Sequence, residues 1–312
     1  MFKGSIVAIV TPFTQEGEVD FAAFKELVDW HAEQGTDAIV CCGSTGEAPT
    51  LSSEEQLQIF KTALDVSKKR VPIIAGTGTY DTRKTVERTR KAKELGVDGC
   101  IAVVPYYNRP TPEGCIAHYT EVNKVGLPTI VYYHPGRTGV RLSAEVLAEI
   151  AELPSVVAIK DCSGGLELIQ EIRQKSDIPM LSGDDPLTLA MMELGAVGGI
   201  SVVANVIPQG WSEMIQSFLQ GNKERARELN ALYTLLFQAM ELETNPQCIK
   251  YAVSLLGKCK PYLRLPLLEP RKANKLAILQ AMTEVSLSPY LSLPLARSSN
   301  CKKECAECSD HR

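Results

Sequence analysis

No stretch of this 312-residue chain approaches the roughly 18 consecutive apolar residues that a membrane-crossing helix needs, so no membrane span is expected. Excess positive charge is missing too. The 33 Lys and Arg residues against 37 Asp and Glu leave a net charge of −4 with the signs interspersed, which offers no basic face to nucleic acid or an anionic membrane. Ten cysteines are present, but not in the spacing of a disulfide scaffold. Cys41, Cys42, Cys100, Cys162 and Cys248 sit inside apolar runs and read as reduced, buried thiols. The start, Met1-Phe2-Lys3-Gly4, has one charge before the short run Ser5–Val10, too little for a secretory signal, so a cytoplasmic protein is expected. A Gly-x-Gly-x-x-Gly turn is also absent after the first apolar run. Thr11-Pro12-Phe13-Thr14 stands there and argues against a doubly wound dinucleotide-binding sheet.

What is present is a regular alternation. Hydrophobic content of 45% and charged content of 22% suit a globular enzyme with a large core. Short apolar, β-branched runs occupy Ser5–Val10, Ala38–Cys42, Pro72–Ala75, Cys100–Val104, Pro128–Tyr132, Ser155–Ile159, Ile178–Leu181 and Gly198–Val202. Amphipathic segments lie between them: Phe21–Glu33, Glu54–Ser67, Thr82–Glu94, Pro112–Lys124, Ser143–Ala151, Gly165–Lys175 and Pro186–Leu194. With a further helix over Pro208–Leu219, this is the count of an α/β (β/α)8 TIM barrel. Beyond residue 220 the alternation gives way to helical patterns at Lys223–Leu242, Pro246–Leu256 and Lys272–Met282. The expected organisation is a catalytic barrel over 1–222, a C-terminal helical extension over 223–295, and a disordered cysteine-rich tail over 296–312.

In such a barrel the chemistry gathers at the C-terminal ends of the strands. The sixth run, Val156-Val157-Ala158-Ile159, ends at Lys160, before Asp161-Cys162-Ser163 and the helix-breaking Gly164-Gly165. An amine drawn partly out of water becomes a nucleophile towards a ketone. Around it the strand ends supply Gly43-Ser44-Thr45-Gly46-Glu47, Pro105-Tyr106-Tyr107-Asn108-Arg109-Pro110, Tyr132-Tyr133-His134-Pro135-Gly136-Arg137-Thr138-Gly139, Ser182-Gly183-Asp184-Asp185 and Ile200. Each of these alone suits a plain structural role, the tyrosines in packing and the glycine loop in turning the chain. As a set, the hydroxyls of Ser44, Thr45, Tyr107 and Tyr132 form a proton relay able to build and expel water from a carbinolamine without a metal or organic cofactor. Arg137 adds a bidentate partner for a carboxylate. Together they point to a Schiff-base aldolase or lyase acting on a 2-oxo acid.

On these motifs, with Leu181-Ser182-Gly183-Asp184-Asp185 and Leu263-Arg264-Leu265-Pro266, the chain resembles the pyruvate-dependent class I aldolases of the dihydrodipicolinate synthase family from Met1 to about residue 290. The resemblance implies that Lys160 forms the Schiff base with pyruvate and that Tyr132 is the general acid/base. Ser44 and Tyr107 would complete the relay. Thr45 and the Ile200 backbone would hold the pyruvate part, with Gly183 lining the pocket and Arg137 binding the carboxylate of L-aspartate 4-semialdehyde. It further implies no metal, no cofactor beyond the covalent pyruvate adduct, and a product, 4-hydroxy-tetrahydrodipicolinate, destined for diaminopimelate and lysine. The Tyr107 position reaches a neighbouring subunit's site in this family, so a tight dimer, usually doubled to a tetramer, is implied. Sister enzymes with the same lysine cleave N-acetylneuraminate, 4-hydroxy-2-oxoglutarate or sugar acids, and a non-catalytic binding barrel is the remote alternative.

Four departures stand out. Ser44 replaces the usual threonine but keeps the hydroxyl, so activity is expected. His134 stands where a smaller or neutral residue is more common. At the family's lysine-feedback site the matching positions are Ser53, Gln56, Tyr80 and Lys84, and Lys84 puts a like charge where the ligand's amine needs an acidic partner, so weak or absent lysine inhibition is expected. The tail Cys301, Cys305, Cys308 and His311 has no counterpart in the family. It offers a Cys3His donor set, but the expectation is a solvated tail with incidental thiols and no metal.

Overall fold

Runs of β-branched residues buried on both sides form parallel strands, because each strand is covered by barrel interior on one face and by a helix on the other. In the computed structural model, which describes residues 2–285, eight such strands close a barrel in sequence order, each parallel to its neighbours. They are β1 (Gly4–Ala8), β2 (Ala38–Cys41), β3 (Ile73–Gly76), β4 (Gly99–Val103), β5 (Thr129–Tyr133), β6 (Val156–Asp161), β7 (Met180–Ser182) and β8 (Gly198–Ser201). Closure pairs Ile6 of β1 with Ile200 of β8. Two apolar clusters result. Ile6, Val40, Ile74, Ile101, Ile130, Ala158, Leu181 and Ile200 fill the inside of the barrel, while the alternate residues face the helices in a larger outer layer.

The helices of that layer are α1 (Phe21–Glu33), α2 (Ser53–Ser67), α3 (Thr82–Leu95), α4 (Pro112–Asn123), the short α5 (Pro135–Thr138), α6 (Ala144–Ala151), α7 (Glu167–Ile172), α8 (Thr188–Glu193) and α9 (Pro208–Leu219). Their starts are written in capping residues. The Asp20 carboxylate accepts from Ala23 N, and Ser52 and Glu55 form a reciprocal capping box on α2. Three further helices follow, α10 (Lys223–Met240), α11 (Gln247–Leu255) and α12 (Lys272–Glu284), with α10 packed on α9. Among the described residues no helix is long and apolar enough to cross a membrane.

The observed elements differ from the expected ones in detail. The segment Gly165–Lys175 is helical only over α7, because Gly164 takes a left-handed φ of +85° and delays the start. Pro186–Leu194 opens as a 3-10 turn, Asp185–Leu187, before α8. Strand β6 runs through Lys160 to Asp161, so the lysine is held inside the ladder. The seven described cysteines are buried free thiols. The tail with Cys301, Cys305, Cys308 and His311 lies outside the described residues.

Candidate active site

Period-two alternation on β6 puts Ala158, Lys160 and, just past the strand, Cys162 on the inner face of the barrel. On β5 the same alternation turns Ile130 and Tyr132 inward, and the register sets Tyr132 directly beside Lys160. The result is a buried lysine, 6% exposed, whose Nζ stands 4.4 Å from the centroid of the Tyr132 ring. Burial, reinforced by Cys162, holds the Tyr132 phenol well above its ordinary pKa, while Ser44 and Arg137 pull it back. The phenol therefore keeps its proton at neutral pH and is available as a donor. Burial likewise pushes the Cys162 thiol up to about 12, with Lys160 opposing, so this thiol is unreactive despite lying in the site.

Gly183, just after β7, closes one side. A Cβ placed there lies 2.1 Å from Cys162 Sγ and 2.5 Å from Lys160 Cε, so the glycine makes room for the lysine stem. Thr45 is buried, and its Oγ1 accepts a 3.0 Å hydrogen bond from Asn245 Nδ2. Arg137, exposed on α5 at the rim, donates from Nη2 to the Asn245 carbonyl at 3.0 Å. Asn245 thus ties the β2 loop to the β5 loop from the far end of the chain. Ile200 is fully buried in the inner wall. Tyr107 is the residue not brought in: it is 88% exposed, on a backbone with φ +70°. His134 packs its ring 5.9 Å from that of Tyr132. Burial, then Arg137 and Lys160, lower its imidazole to about 4, so it is an uncharged part of the wall at neutral pH.

Sequence reasoning gave no role to Asn245, Lys250 or Glu47, although Glu47 closes the Gly43-Ser44-Thr45-Gly46-Glu47 loop that was singled out. It also passed over Asp185 as a buried acid. Asp185 accepts backbone N–H bonds from Val203 at 2.7 Å and Val202 at 3.1 Å, which fixes the chain leaving β8. Burial raises its carboxyl from 3.8 to about 6, against the opposing pull of those bonds and of Lys160. Because the folded value is raised, the favourable contribution is present below the unfolded pKa and lost as pH rises towards about 6. Asp185→Asn removes this dependence. Its stability relative to the parent, measured by denaturant unfolding, is expected to rise by about 2–3 kcal/mol between acid and neutral pH. A constant difference across that range overturns the assignment.

A buried lysine under a protonated tyrosine in a barrel mouth is shared by several lysine-dependent enzymes, and comparison with known proteins decides between families. The dihydrodipicolinate synthetase family matches residues 1–285. This chain belongs to that family. Within the dihydrodipicolinate synthetase family, the 4-hydroxy-tetrahydrodipicolinate synthase of Geobacter metallireducens is 46% identical over 290 residues, covering 92% of this chain and all of that one. The solved dihydrodipicolinate synthase of Aquifex aeolicus superposes with a TM-score of 0.91 at 41% identity, over 94% of this chain and 100% of its own. A chloride-inhibited dihydrodipicolinate synthase from Acinetobacter baumannii, solved with pyruvate, gives 0.88 at 41% identity over 92% and 99%.

Proposed function

We propose that this chain condenses pyruvate with L-aspartate 4-semialdehyde to 4-hydroxy-tetrahydrodipicolinate through a Schiff base on Lys160, in diaminopimelate and lysine biosynthesis. The observation that carries the reading is Lys160 Nζ, buried and facing the ring of Tyr132 at the barrel mouth. Nζ attacks the ketone carbon, and the carbinolamine loses water to give the imine. Loss of a methyl proton gives the enamine, whose terminal carbon adds to the aldehyde. The amine of the second substrate then attacks the imine carbon, closes the ring and expels Lys160. Tyr132, with Ser44, moves the protons, and the reaction uses no metal or organic cofactor. Thr45 and the Ile200 backbone hold the pyruvate carboxylate, Gly183 leaves space for the adduct, and Arg137 takes the carboxylate of the aldehyde.

Tyr107, exposed in the single chain, serves the site of a second copy, and the working form is a homodimer doubled to a tetramer in the cytoplasm. The reaction is tested by a product assay with pyruvate and aspartate 4-semialdehyde, beside cleavage assays with N-acetylneuraminate and 4-hydroxy-2-oxoglutarate. Turnover with the semialdehyde alone supports the synthase, and turnover only with a rival moves the chain to a sister activity.

Feedback by lysine is weak or absent in this reading. Ser53, Gln56 and Lys84 line a hollow of about 170 Å³ between α2 and α3, together with Glu87, Arg88 and Lys91. Three cations and one carboxylate face the space, and Lys91 already occupies Glu87 at 2.7 Å. A ligand amine entering there meets net positive charge. Lysine titrated against the condensation rate is expected to leave it unchanged, and a submillimolar inhibition constant sinks the claim.

A further inference from the structure

A carboxylate and an amine sit fully buried beside the hydroxyl-bearing loop, and neither takes part in the steps above. Glu47 is the last residue of Gly43-Ser44-Thr45-Gly46-Glu47, 2% exposed, on a left-handed backbone with φ +55°. Its N–H donates to Ser44 O at 3.1 Å, so where Glu47 goes the Ser44 turn follows. Lys250, on α11, is 0% exposed, and its Nζ lies 2.5 Å from Glu47 Oε1 and 3.9 Å from the centroid of the Phe13 ring. The other carboxylate oxygen accepts from Arg264 N at 3.1 Å. The Arg264 guanidinium in turn reaches Gly17 O at 2.7 Å and Thr50 O at 2.7 Å, and pairs with Glu55. Burial alone drives the Lys250 amine towards its neutral form, and Glu47 beside it opposes that.

An ion pair this deep is a poor device for stability. Two desolvated charges return little over a pair of well-packed apolar side chains, and their usual merit is to specify one arrangement. Here the arrangement specified is that of Ser44 and Thr45. The loop is also pinned from the barrel side, where Thr11 Oγ1 donates to Gly46 O at 2.7 Å, and Thr45 Oγ1 is held by Asn245. Lys250 and Asn245 stand five residues apart at the start of α11, so one segment of the C-terminal helices grips the loop at both its third and fifth residues. We propose that Lys250 is a positioning residue, which acts through Glu47 to set the Ser44 and Thr45 hydroxyls for the proton transfers at the Lys160 adduct. The proposal rests on the assignment of Ser44 and Thr45 to the pyruvate end of the site.

The test separates positioning from bulk stability. Lys250→Met alone strands a buried carboxylate and is expected to lower the melting temperature. The neutral pair Glu47→Gln with Lys250→Met removes both charges and is expected to recover that stability. Its kcat is expected to stay about 10²-fold low with a raised pyruvate KM, because the hydroxyls are held to the wrong place by a fraction of an ångström. Recovery of kcat along with stability makes the pair merely structural and overturns the proposal. Should the double variant not fold, Glu47→Asp keeps the charges and shortens the reach by one methylene. A parental melting temperature with depressed kcat and raised pyruvate KM supports the proposal, and parental kinetics overturn it. Borohydride trapping of pyruvate on the parent protein distinguishes the underlying reading. With no adduct on the parent, the reading of the site fails and the proposal falls with it. With an adduct on the parent and parental kinetics in the variants, the proposal alone fails.

Discussion

Lys160→Met is expected to abolish the borohydride-stable pyruvate adduct and to lower condensation by at least about 10⁴-fold, since the covalent route disappears with its only nucleophile. Methionine is the informative replacement because its unbranched side chain fills much of the lysine's channel without an amine, so fold and melting temperature should stay close to the parent. Two described lysines are buried, Lys160 and Lys250. They differ in what they face. Lys250 points its amine at the Glu47 carboxylate, 2.5 Å away, while Lys160 points at the face of an aromatic ring. The Lys250 amine is committed to a buried carboxylate, whereas Lys160 has no such partner at bonding distance among the described residues and is left open to a substrate carbonyl. Peptide mapping of the trapped protein should therefore find the pyruvate-derived group on Lys160 and not on Lys250. An adduct at another position, or turnover within tenfold of the parent after Lys160→Met, removes the Schiff-base mechanism.

What the sequence made legible, and what it hid, follows from the range of the forces involved. Helix α1 was readable to its ends, Phe21–Glu33, because its limits are set locally by Asp20 and the apolar stripe. All eight strands were readable because a strand buried on both faces leaves an uninterrupted apolar run. Helix α7 was overextended at both ends, because periodicity alone does not fix where a short helix starts and stops. Lys160 was visible because a charge that ends an apolar run is itself a local anomaly. Lys250 was not, since it lies at a position that a helical pattern accepts on either face, and its partner Glu47 is 203 residues away. Asn245 carries the same lesson: its contact with Thr45 spans 200 residues, and its contact with Arg137 spans 108. The exposure of Tyr107 was implied only by the resemblance, because no local pattern shows that its backbone and that of Arg109 are left-handed.

Gly183→Ala is expected to cost about 10²-fold in turnover while leaving the protein folded. The glycine is not needed for backbone freedom, as its φ lies outside the left-handed region, so the effect is steric. The added methyl arrives 2.1 Å from Cys162 Sγ, 2.5 Å from Lys160 Cε and 3.2 Å from the Asp161 carbonyl. The backbone is poorly placed to retreat, because Gly183 N donates to Asp161 O at 2.8 Å, extending the pairing of β7 with β6. What yields is the lysine stem, which carries Nζ away from its place over Tyr132. Cys162→Ala alone removes a sulfur that the chemistry does not use and is expected to change turnover little. Combined with Gly183→Ala, it relieves the shorter contact and leaves the one to Cε, so rescue should be partial. Full rescue would assign the damage to the thiol, and turnover within about threefold of the parent in Gly183→Ala would mean that the lysine keeps its reach from a shifted stem. Partial rescue, with trapping of pyruvate slowed in both variants, ties the loss to the position of Lys160 itself, because that is the contact the second substitution leaves untouched.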